Sequence, residues 1–379
     1  LTGMLAAKFK YADATHARIV TLDVSAAKAM PGVFAVLTQD DVPDVKFGPF
    51  VQDRTLFARD VVRFEGEIIA AVAAVDAAVL QVGLQAAGAA LGAVLGIFLA
   101  LPVVAIQGLA FAGGLAAVAA VAAVDAATAQ RAVDAIVVEY EALPVVNDIE
   151  GALSADSPLV HTEWAGYGGV DVLVRDRNDA SFASIAKGDV DEGMAAADHV
   201  VRSRYVADGC HAVPIEPRAV VAQWEGNKVT VWTSTQVPFD ARAGVCETLE
   251  LPNSRVRIIV PHLGDGFGGK CGFHYEAHVA ALARAAKRPV RLVFSRREEF
   301  VAPDRRREGI VYDFETGVKA DGTITARRVW LALDNGAYTA DAGFFIHPPA
   351  GIVAQFPQFP VHDSYAGLKA GIDGAAARL

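Results

Sequence analysis

The sequence predicts an α+β fold arranged in two domains. Its 379 residues exceed the usual size of one domain, and a hydrophobic fraction of 53% excludes a disordered chain. Short strand-like segments alternate with short helical ones, and two turn signals indicate β-hairpins. These observations together place the chain among proteins that combine helices with partly antiparallel sheets.

The first predicted domain covers residues 1–145 and contains strands that alternate with helices. Pro31-Gly32 marks a turn within it. A linker is expected at residues 146–164, since the segment from residue 141 to 164 contains prolines, serines and acidic residues. The predicted strands are residues 18–23, 33–37 and 135–140, and the predicted helices are residues 25–30 and 128–134.

The second predicted domain covers residues 165–379. It opens with a hairpin that turns at residues 225–227 and closes with a long hairpin that turns at Asp321-Gly322, a strong turn dipeptide. Between them are a helix at about 239–250, a strand at 255–260, a glycine loop, a helix at 275–287 and a strand at 289–295. After Gly343 no closing element is recognisable, so we expect this domain to be truncated at its C-terminal end.

An uncharged run of 48 residues, from Ala77 to Val124, interrupts the first domain. It is long enough for a transmembrane hairpin, but its flanks are Asp76 and Asp125 rather than basic residues. The segment AAVAAVDAA occurs at both its ends, and deleting one copy with the intervening residues restores a strand–helix–strand pattern. We therefore favour an apolar helical insertion at about 79–127 over a membrane anchor.

Charge and cysteine content exclude several classes of function. The net charge of −10 argues against a general nucleic-acid binder. Cys210, Cys246 and Cys271 are too few for a four-cysteine cluster, and their odd number does not suit a disulfide framework. The N-terminal residues lack the pattern of a signal peptide. A cytoplasmic location is expected.

The most informative segment is a glycine loop at residues 264–271, Gly-Asp-Gly-Phe-Gly-Gly-Lys-Cys. Its bare N–H groups suit an anionic or oxo group. The spacing of Gly264, Gly266 and Gly269 also fits a dinucleotide fingerprint, and a GxxxxGK match ends at Lys270, although Cys271 replaces the Ser or Thr of a P-loop. A simple strand-to-helix turn remains a further alternative.

Two other charged or metal-ligating patterns have simpler interpretations. His274 and His278 are spaced as zinc ligands on a helix, with Glu276 between them, but a packed or surface histidine pair is the more frequent arrangement. Arg296-Arg297 beside Glu298-Glu299, and the arginine run at 305–307, predict a solvated and internally neutralised face.

Motifs spread over most of the chain resemble one known family when they are taken together. In the first domain they are residues 16–19, 31–33, 38–43, 62–64, 66–67 and 70–72; in the second they are residues 215–218, 234–236, 264–270, 288–291, 295–300 and 334–338. Their order and spacing resemble the molybdenum-binding large subunit of the xanthine dehydrogenase, aldehyde oxidase and carbon monoxide dehydrogenase family. The resemblance implies an N-terminal a/b hammerhead domain followed by the first half of a molybdopterin-binding domain.

The resemblance also implies roles for individual residues. Gln236 matches a glutamine that hydrogen-bonds an oxo ligand of molybdenum, and Phe267 and Gly268 match a pair that lies against the metal centre and the pterin. Cys271 and Glu216 are candidates for the substrate side. The implied cofactor-binding residues are Gln236, Gly264, Gly266, Phe267, Gly268 and Gly269.

Some features depart from the family pattern. Asp265 replaces a glycine and adds a carboxylate beside an anionic pterin, which is unfavourable unless it faces solvent or a cation. The catalytic glutamate motif of the family is absent from this sequence, so we expect no catalytic residue here and no direct metal ligand.

The function implied by the resemblance is hydroxylation of an aldehyde or an N-heterocycle with oxygen from water. The implied cofactor is molybdenum-molybdopterin, in its cytosine dinucleotide form, with [2Fe–2S] clusters and FAD on an iron–sulfur small subunit and a FAD medium subunit. The resemblance implies a heterotrimer of these three subunits and a dimer of such heterotrimers. No nucleic-acid partner is expected. The alternatives are a non-catalytic fragment that keeps the fold and a membrane-tethered protein that uses residues 77–124.

Overall fold

The computed structural model contains two compact units, each assembled from separate parts of the chain. It describes residues 1, 3–48, 52–75, 126–168, 177–178, 188–272, 275–301, 308–334 and 336–338. The first unit combines residues 1–47, 54–145 and 211–307, and the second combines residues 48–53, 146–210 and 308–379.

A mixed sheet dominates the first unit. Among the described residues, seven strands follow the order β10-β9-β8-β11-β1-β5-β3. The first strand of the chain is central, because β1 pairs in parallel with β11 and antiparallel with β5. The strands are β1 (Leu5–Tyr11), β3 (Val33–Leu37), β5 (Ile68–Val75), β8 (Ala219–Glu225), β9 (Lys228–Thr233), β10 (Val256–Ile259) and β11 (Val290–Val293).

A second, smaller sheet in this unit has the order β4-β2-β6. Helix α2 (Ala126–Asp134) covers apolar residues of β5 and β3, since its Ala132 and Val133 pack with Val36 and Val72 in one buried cluster. The elements are β2 (Ala17–Asp23), α1 (Ser25–Ala29), β4 (Val61–Val62), α2 (Ala126–Asp134) and β6 (Val137–Ala142).

Helices that flank the glycine loop complete the first unit. They are α5 (Pro238–Thr248), α6 (Glu276–Ala286) and α7 (Arg296–Val301). Proline at the start of α5 suits the first helical turn, where no N–H donor is needed. Helix α6 is buried from Glu276 to Ala283 and is rich in alanine, so it lies close against the large sheet. Lys287 ends it in the left-handed conformation typical of a helix C-terminus.

The second unit contains an antiparallel sheet of order β13-β12-β7. Its strands are β7 (His199–Ala207), β12 (Gly309–Val318) and β13 (Ile324–Asp334). Two short helices belong to this unit, α3 (Ile149–Leu153) and α4 (Val190–Ala195), and in each an aspartate caps the N-terminus by accepting a backbone N–H.

The structure confirms most of the predicted elements. Both hairpins form, β8–β9 and β12–β13, and the helices predicted at 239–250 and 275–287 correspond to α5 and α6. The compact units do not follow the chain order of the predicted domains, because strands from both sides of residues 146–164 share the large sheet. The predicted boundaries remain a prediction.

The uncharged run at 77–124 lies outside the described residues, so neither interpretation of it is tested. Within the described part of the chain, no helix combines the length and the apolar character needed to cross a lipid bilayer.

Candidate functional site

The glycine loop connects β10 with α6 and turns tightly. The Gly269 N–H donates to the Gly266 carbonyl at 2.8 Å, and the Cys271 N–H donates to the Gly268 carbonyl at 3.1 Å. Phe267 and Gly268 both have positive φ, of 53° and 84°. Positive φ is strained for an aromatic residue, and the Phe267 side chain is 74% exposed. Strain of this kind is characteristic of functional loops.

Gln236 lies against this loop, three residues after the end of β9. Its backbone N–H donates to the Lys270 carbonyl at 2.9 Å. Its side-chain Oε1 accepts the N–H groups of Gly268 and Lys270, each at 3.1 Å. Because two donors converge on this atom, it is the carbonyl oxygen of the amide, and the Nε2 group is left to donate elsewhere.

Further donors lie in the loop itself. The N–H groups of Asp265, Gly266 and Phe267 donate to no group in the described part of the chain. Gly266 is buried, and a buried N–H without an acceptor is costly unless a ligand or water binds it. Successive N–H groups beside an amide NH2 form a site that suits an anionic or oxo oxygen.

Two of the glycines are required by close packing. A Cβ on Gly266 would collide with Oε1 of Gln236, and a Cβ on Gly264 would lie 2.8 Å from the Cβ of Glu216. Helix α6 starts only at Glu276, so its N-terminus does not directly follow the glycines. The dinucleotide and P-loop interpretations both need that arrangement, and the geometry does not support them.

Asp265 turns its carboxylate toward a neighbouring segment. Oδ2 accepts the Ile215 N–H at 2.8 Å, and Oδ1 accepts the Glu216 N–H at 3.0 Å. These two bonds hold the pKa of Asp265 below its ordinary value, and the charges of Lys270 and Arg296 lower it further. The additional carboxylate therefore has its own protein partners.

Glu216 and Lys270 form an ion pair beside the loop. The Lys270 side chain is 0% exposed, and its Nζ donates to Glu216 Oε2 at 2.6 Å. The same carboxylate oxygen accepts the Gly264 N–H at 3.0 Å. Sequence spacing gave no indication of this pair, because its members are on segments far apart in the chain.

A buried ion pair supports the other end of the loop. The prediction that residues 296–299 form a solvated face is wrong for Glu299, which is 0% exposed. Its carboxylate accepts Arg218 Nη1 at 2.5 Å and also the Arg218 backbone N–H. Arg218 in turn donates through Nη2 to the Gly269 carbonyl. The charge of Glu299 is therefore neutralised by Arg218, which is distant in sequence, and not by the adjacent arginines.

The adjacent charges also have distant partners. Lys8 binds Glu298 at 2.9 Å, with both side chains mostly buried. Arg296 donates to the carbonyl groups of Pro214 and Ile215 at 2.6 and 2.7 Å. The arginine run at 305–307 lies outside the described residues.

His278 is a packed core residue rather than a metal ligand. Its Nε2 donates to the Leu56 carbonyl at 2.6 Å, and its ring lies 5.1 Å from Phe57 and 5.3 Å from Phe9. His274 lies outside the described residues. Within the described ranges, no group of three or more His, Cys, Asp or Glu side chains could hold a metal ion.

The structure thus brings Gln236 together with the glycine loop and with Glu216. Cys271 ends the loop, with a partly buried free thiol. Sequence reasoning missed the contributions of Arg218, Lys270 and Glu299. No local sequence signal could pair these residues, because Arg218 lies about fifty residues from Lys270 and about eighty from Glu299 in the chain.

Two family models match the chain. The molybdopterin cofactor-binding domain matches residues 174–355, and the a/b hammerhead domain of aldehyde oxidase and xanthine dehydrogenase matches residues 1–89.

Relatives of known function extend this match. The nicotinate dehydrogenase large molybdopterin subunit of Eubacterium barkeri is 32% identical over 327 residues, which are 86% of this chain and 62% of the relative. The nicotine 6-hydroxylase large subunit of Paenarthrobacter nicotinovorans is 30% identical over 348 residues, 89% of this chain and 35% of the relative. The chain thus spans less than two thirds of the length of either relative.

Solved structures share the fold. Quinoline 2-oxidoreductase from Pseudomonas putida 86 superposes with a TM-score of 0.65 at 28% identity, over 89% of this chain and 37% of that one. The aldehyde oxidoreductase from Desulfovibrio gigas gives a TM-score of 0.66 at 20% identity, over 88% and 31%, which is a likeness of fold alone. The chain belongs to the aldehyde oxidase and xanthine dehydrogenase family, whose a/b hammerhead and molybdopterin cofactor-binding domains it contains, and its predicted α+β fold is that family's fold.

Proposed function

We propose that this chain forms the amide-donor side of the molybdopterin site in a molybdenum hydroxylase. The observation that carries the proposal is the orientation of the Gln236 carboxamide. Its oxygen is held by two loop N–H groups, so its Nε2 donates toward a ligand together with the N–H groups of residues 265–267. These donors fit the oxygen-rich, anionic character of a molybdenum–pterin group.

The predicted cofactor-binding residues divide into two kinds under this proposal. Gln236, Gly266 and Phe267 retain donors for the cofactor. The N–H groups of Gly264, Gly268 and Gly269 are bonded inside the protein, to Glu216, Gln236 and Gly266 respectively, so these glycines shape the loop.

When bound, the molybdenum centre would supply the two-electron oxidation of a substrate carbon. The protein's part here is to bind and orient the cofactor, and no residue of this chain is assigned as the base. We propose an N-heterocycle as substrate rather than an aldehyde, since nicotinate, nicotine and quinoline appear in the names of relatives 28–32% identical to this chain. The exposed Phe267 ring suits stacking on an aromatic ring, and Cys271 is retained as a candidate on the substrate side.

Partner chains are part of the proposal. The relatives are named as large or gamma subunits, which supports partner subunits for this chain. We propose that these partners are an iron–sulfur small subunit and a FAD medium subunit. We further propose the cytosine dinucleotide form of the cofactor, and a hammerhead domain over residues 1–145 that precedes the cofactor-binding domain over residues 165–379.

Metal and pterin content test the proposal. The chain, expressed with the iron–sulfur and FAD subunits and purified through its own tag, is analysed for molybdenum by mass spectrometry and for pterin by fluorescence after oxidation. We expect both in the wild type. In Gln236→Ala the content of both should fall by about tenfold or more, because the variant loses the side-chain donor and also frees two loop N–H groups.

Gln223→Ala is the matched control, since Gln223 is a partly buried glutamine in β8 with no part in the loop. Equal losses in both variants would contradict a specific role for Gln236. Absence of molybdenum and pterin from the wild type would contradict the proposed function and favour a non-catalytic fragment.

A further inference from the structure

Two carboxylates make reciprocal contacts across the candidate site. Asp265, in the glycine loop, accepts the N–H groups of Ile215 and Glu216. Glu216, in the opposite segment, accepts the N–H of Gly264. We call these three hydrogen bonds the clasp. Each segment supplies one carboxylate and receives the other, so the two backbones are fixed relative to each other in two places.

The clasp is anchored from both sides by cations. Lys270 is fully buried and donates to the same oxygen of Glu216 that holds Gly264. On the other side, Arg296 donates to the Ile215 carbonyl at 2.7 Å. Each of the two oxygens of the Asp265 carboxylate accepts an N–H group, so the carboxylate is oriented toward the segment that contains Ile215 and Glu216.

The clasp connects directly to Gln236. Lys270 donates its backbone N–H to Gln236 Oε1 at 3.1 Å and accepts the Gln236 N–H at its carbonyl at 2.9 Å. A displacement of the loop that releases Gly264 or Lys270 would therefore also displace the carboxamide. Phe267, which has strained backbone, lies between Asp265 and the Gly268 N–H bonded to Gln236. A strained conformation persists only where surrounding contacts enforce it.

We infer that Asp265 and Glu216 are positioning residues, which hold the glycine loop in the conformation that keeps its N–H groups beside the Gln236 amide. Their function in the enzyme rests on the proposed molybdopterin site. The positioning itself is a property of this chain and can be measured without cofactor.

Amide hydrogen exchange, followed at residue resolution by mass spectrometry on the whole chain, tests this inference. Asp265→Gly removes both acceptors, and Asp265→Asn retains one. We expect exchange at Ile215 and Glu216 to accelerate by about tenfold in the glycine variant and by less in the asparagine variant, as for loss of a hydrogen bond to a charged group. If the clasp positions the loop, Gly268 and Lys270 must accelerate as well, although Asp265 does not contact either N–H.

The matched control is Asp321→Asn. Asp321 accepts the N–H of Thr323 at 2.9 Å in the β12–β13 turn, and its pKa is likewise lowered by that bond. Its replacement should change exchange only at that turn. Acceleration in the Asp265 variants confined to Ile215 and Glu216, or no acceleration at all, would overturn the inference and leave Asp265 a local cap.

If Asp265→Gly exchanges rapidly at all its amides, as an unfolded chain does, the test is made with Asp265→Asn alone. The result is independent of the proposed function. If the chain contains no molybdenum but exchange at Gly268 and Lys270 accelerates, the positioning role stands and the proposed function is contradicted. If the chain contains molybdenum but exchange at Gly268 and Lys270 does not accelerate, the proposed function stands and the positioning role is contradicted.

Discussion

The two members of the Glu216–Lys270 ion pair differ in their exposure to solvent. The Lys270 side chain is 0% exposed, whereas that of Glu216 is 36% exposed. A charge that is left buried without its partner is far more costly than one that water can reach. The pair is therefore asymmetric, and its two single-residue variants should not destabilise the protein equally.

We expect Glu216→Ala to lower the free energy of unfolding by about 3 kcal/mol or more, because the Lys270 ammonium stays buried without its acceptor. Lys270→Met should cost about 1 kcal/mol or less, because water can solvate the remaining carboxylate. Urea unfolding followed by circular dichroism measures both values. Equal losses of unfolding free energy in Glu216→Ala and Lys270→Met would contradict the conclusion that Lys270 is the buried residue of the pair.

His211 is a single residue that makes the stability of the protein depend on pH. Burial lowers its pKa below 6.5, and the charges of Arg218 and Arg296 add to this effect, while Glu299 opposes it. The neutral ring accepts the Val213 N–H at Nδ1 at 3.0 Å, a bond that protonation of that nitrogen would break. The folded state thus prefers the neutral form more than the unfolded state does.

The sign of the effect follows from this lowered pKa. The contribution of His211 to stability is complete above its unfolded pKa of about 6.5 and is lost as the pH falls below it. We expect the urea concentration at the midpoint of unfolding to be lower at about pH 5.5 than at about pH 7.5. This difference should be smaller in His211→Gln. His199→Gln, which alters an exposed histidine in β7, serves as the control and should retain the wild-type slope.

Helix α7 is an element whose adjacent glutamates have different environments. Glu299 is 0% exposed and pairs with Arg218, which is 4% exposed in its side chain. Glu298 pairs with Lys8, whose side chain is 19% exposed. Both pairs connect the helix to distant segments, but only the Arg218 pair reaches the glycine loop, through the Gly269 carbonyl.

Glu299→Gln should lower the free energy of unfolding by about 3 kcal/mol, because it leaves the Arg218 charge buried without a countercharge. Glu298→Gln, one position away, should cost less than Glu299→Gln, since the Lys8 side chain is 19% exposed and water can reach part of it. Thermal or urea unfolding of the two variants provides the comparison. A larger loss of unfolding free energy in Glu298→Gln than in Glu299→Gln would contradict the conclusion that the more buried pair is the more costly one to break.

Local elements were largely predictable because their signals are local. The Asp321-Gly322 turn and the glycine at residue 226 identified both hairpins, and the helix predicted at 275–287 corresponds to α6. The solvated face predicted for residues 296–299 was wrong at Glu299, because the environment of that residue is not set locally. Whether Glu299 is solvated depends on Arg218, which is brought to it by the tertiary fold.

At the scale of the whole molecule, the sequence predicted the fold class but not the sheet. The pairing of Leu5 with Val290 joins the first strand to one near the end of the first unit, and no local pattern encodes such a contact. The candidate site shows the same division. The glycine loop was recognised from its own residues and Gln236 from a family resemblance. The clasp was not predictable from the sequence, since its partners are about fifty residues apart.

The central place of β1 has a consequence for biosynthesis. During translation β1 emerges long before its parallel neighbour β11, because most of the first unit lies between the two strands in the chain. One edge of the nascent Leu5–Tyr11 segment therefore stays unpaired until β11 has been made, and unpaired edges of this kind recruit chaperones or other nascent chains. We therefore expect substitutions in β1 to lower the yield of folded protein as well as to disturb the large sheet.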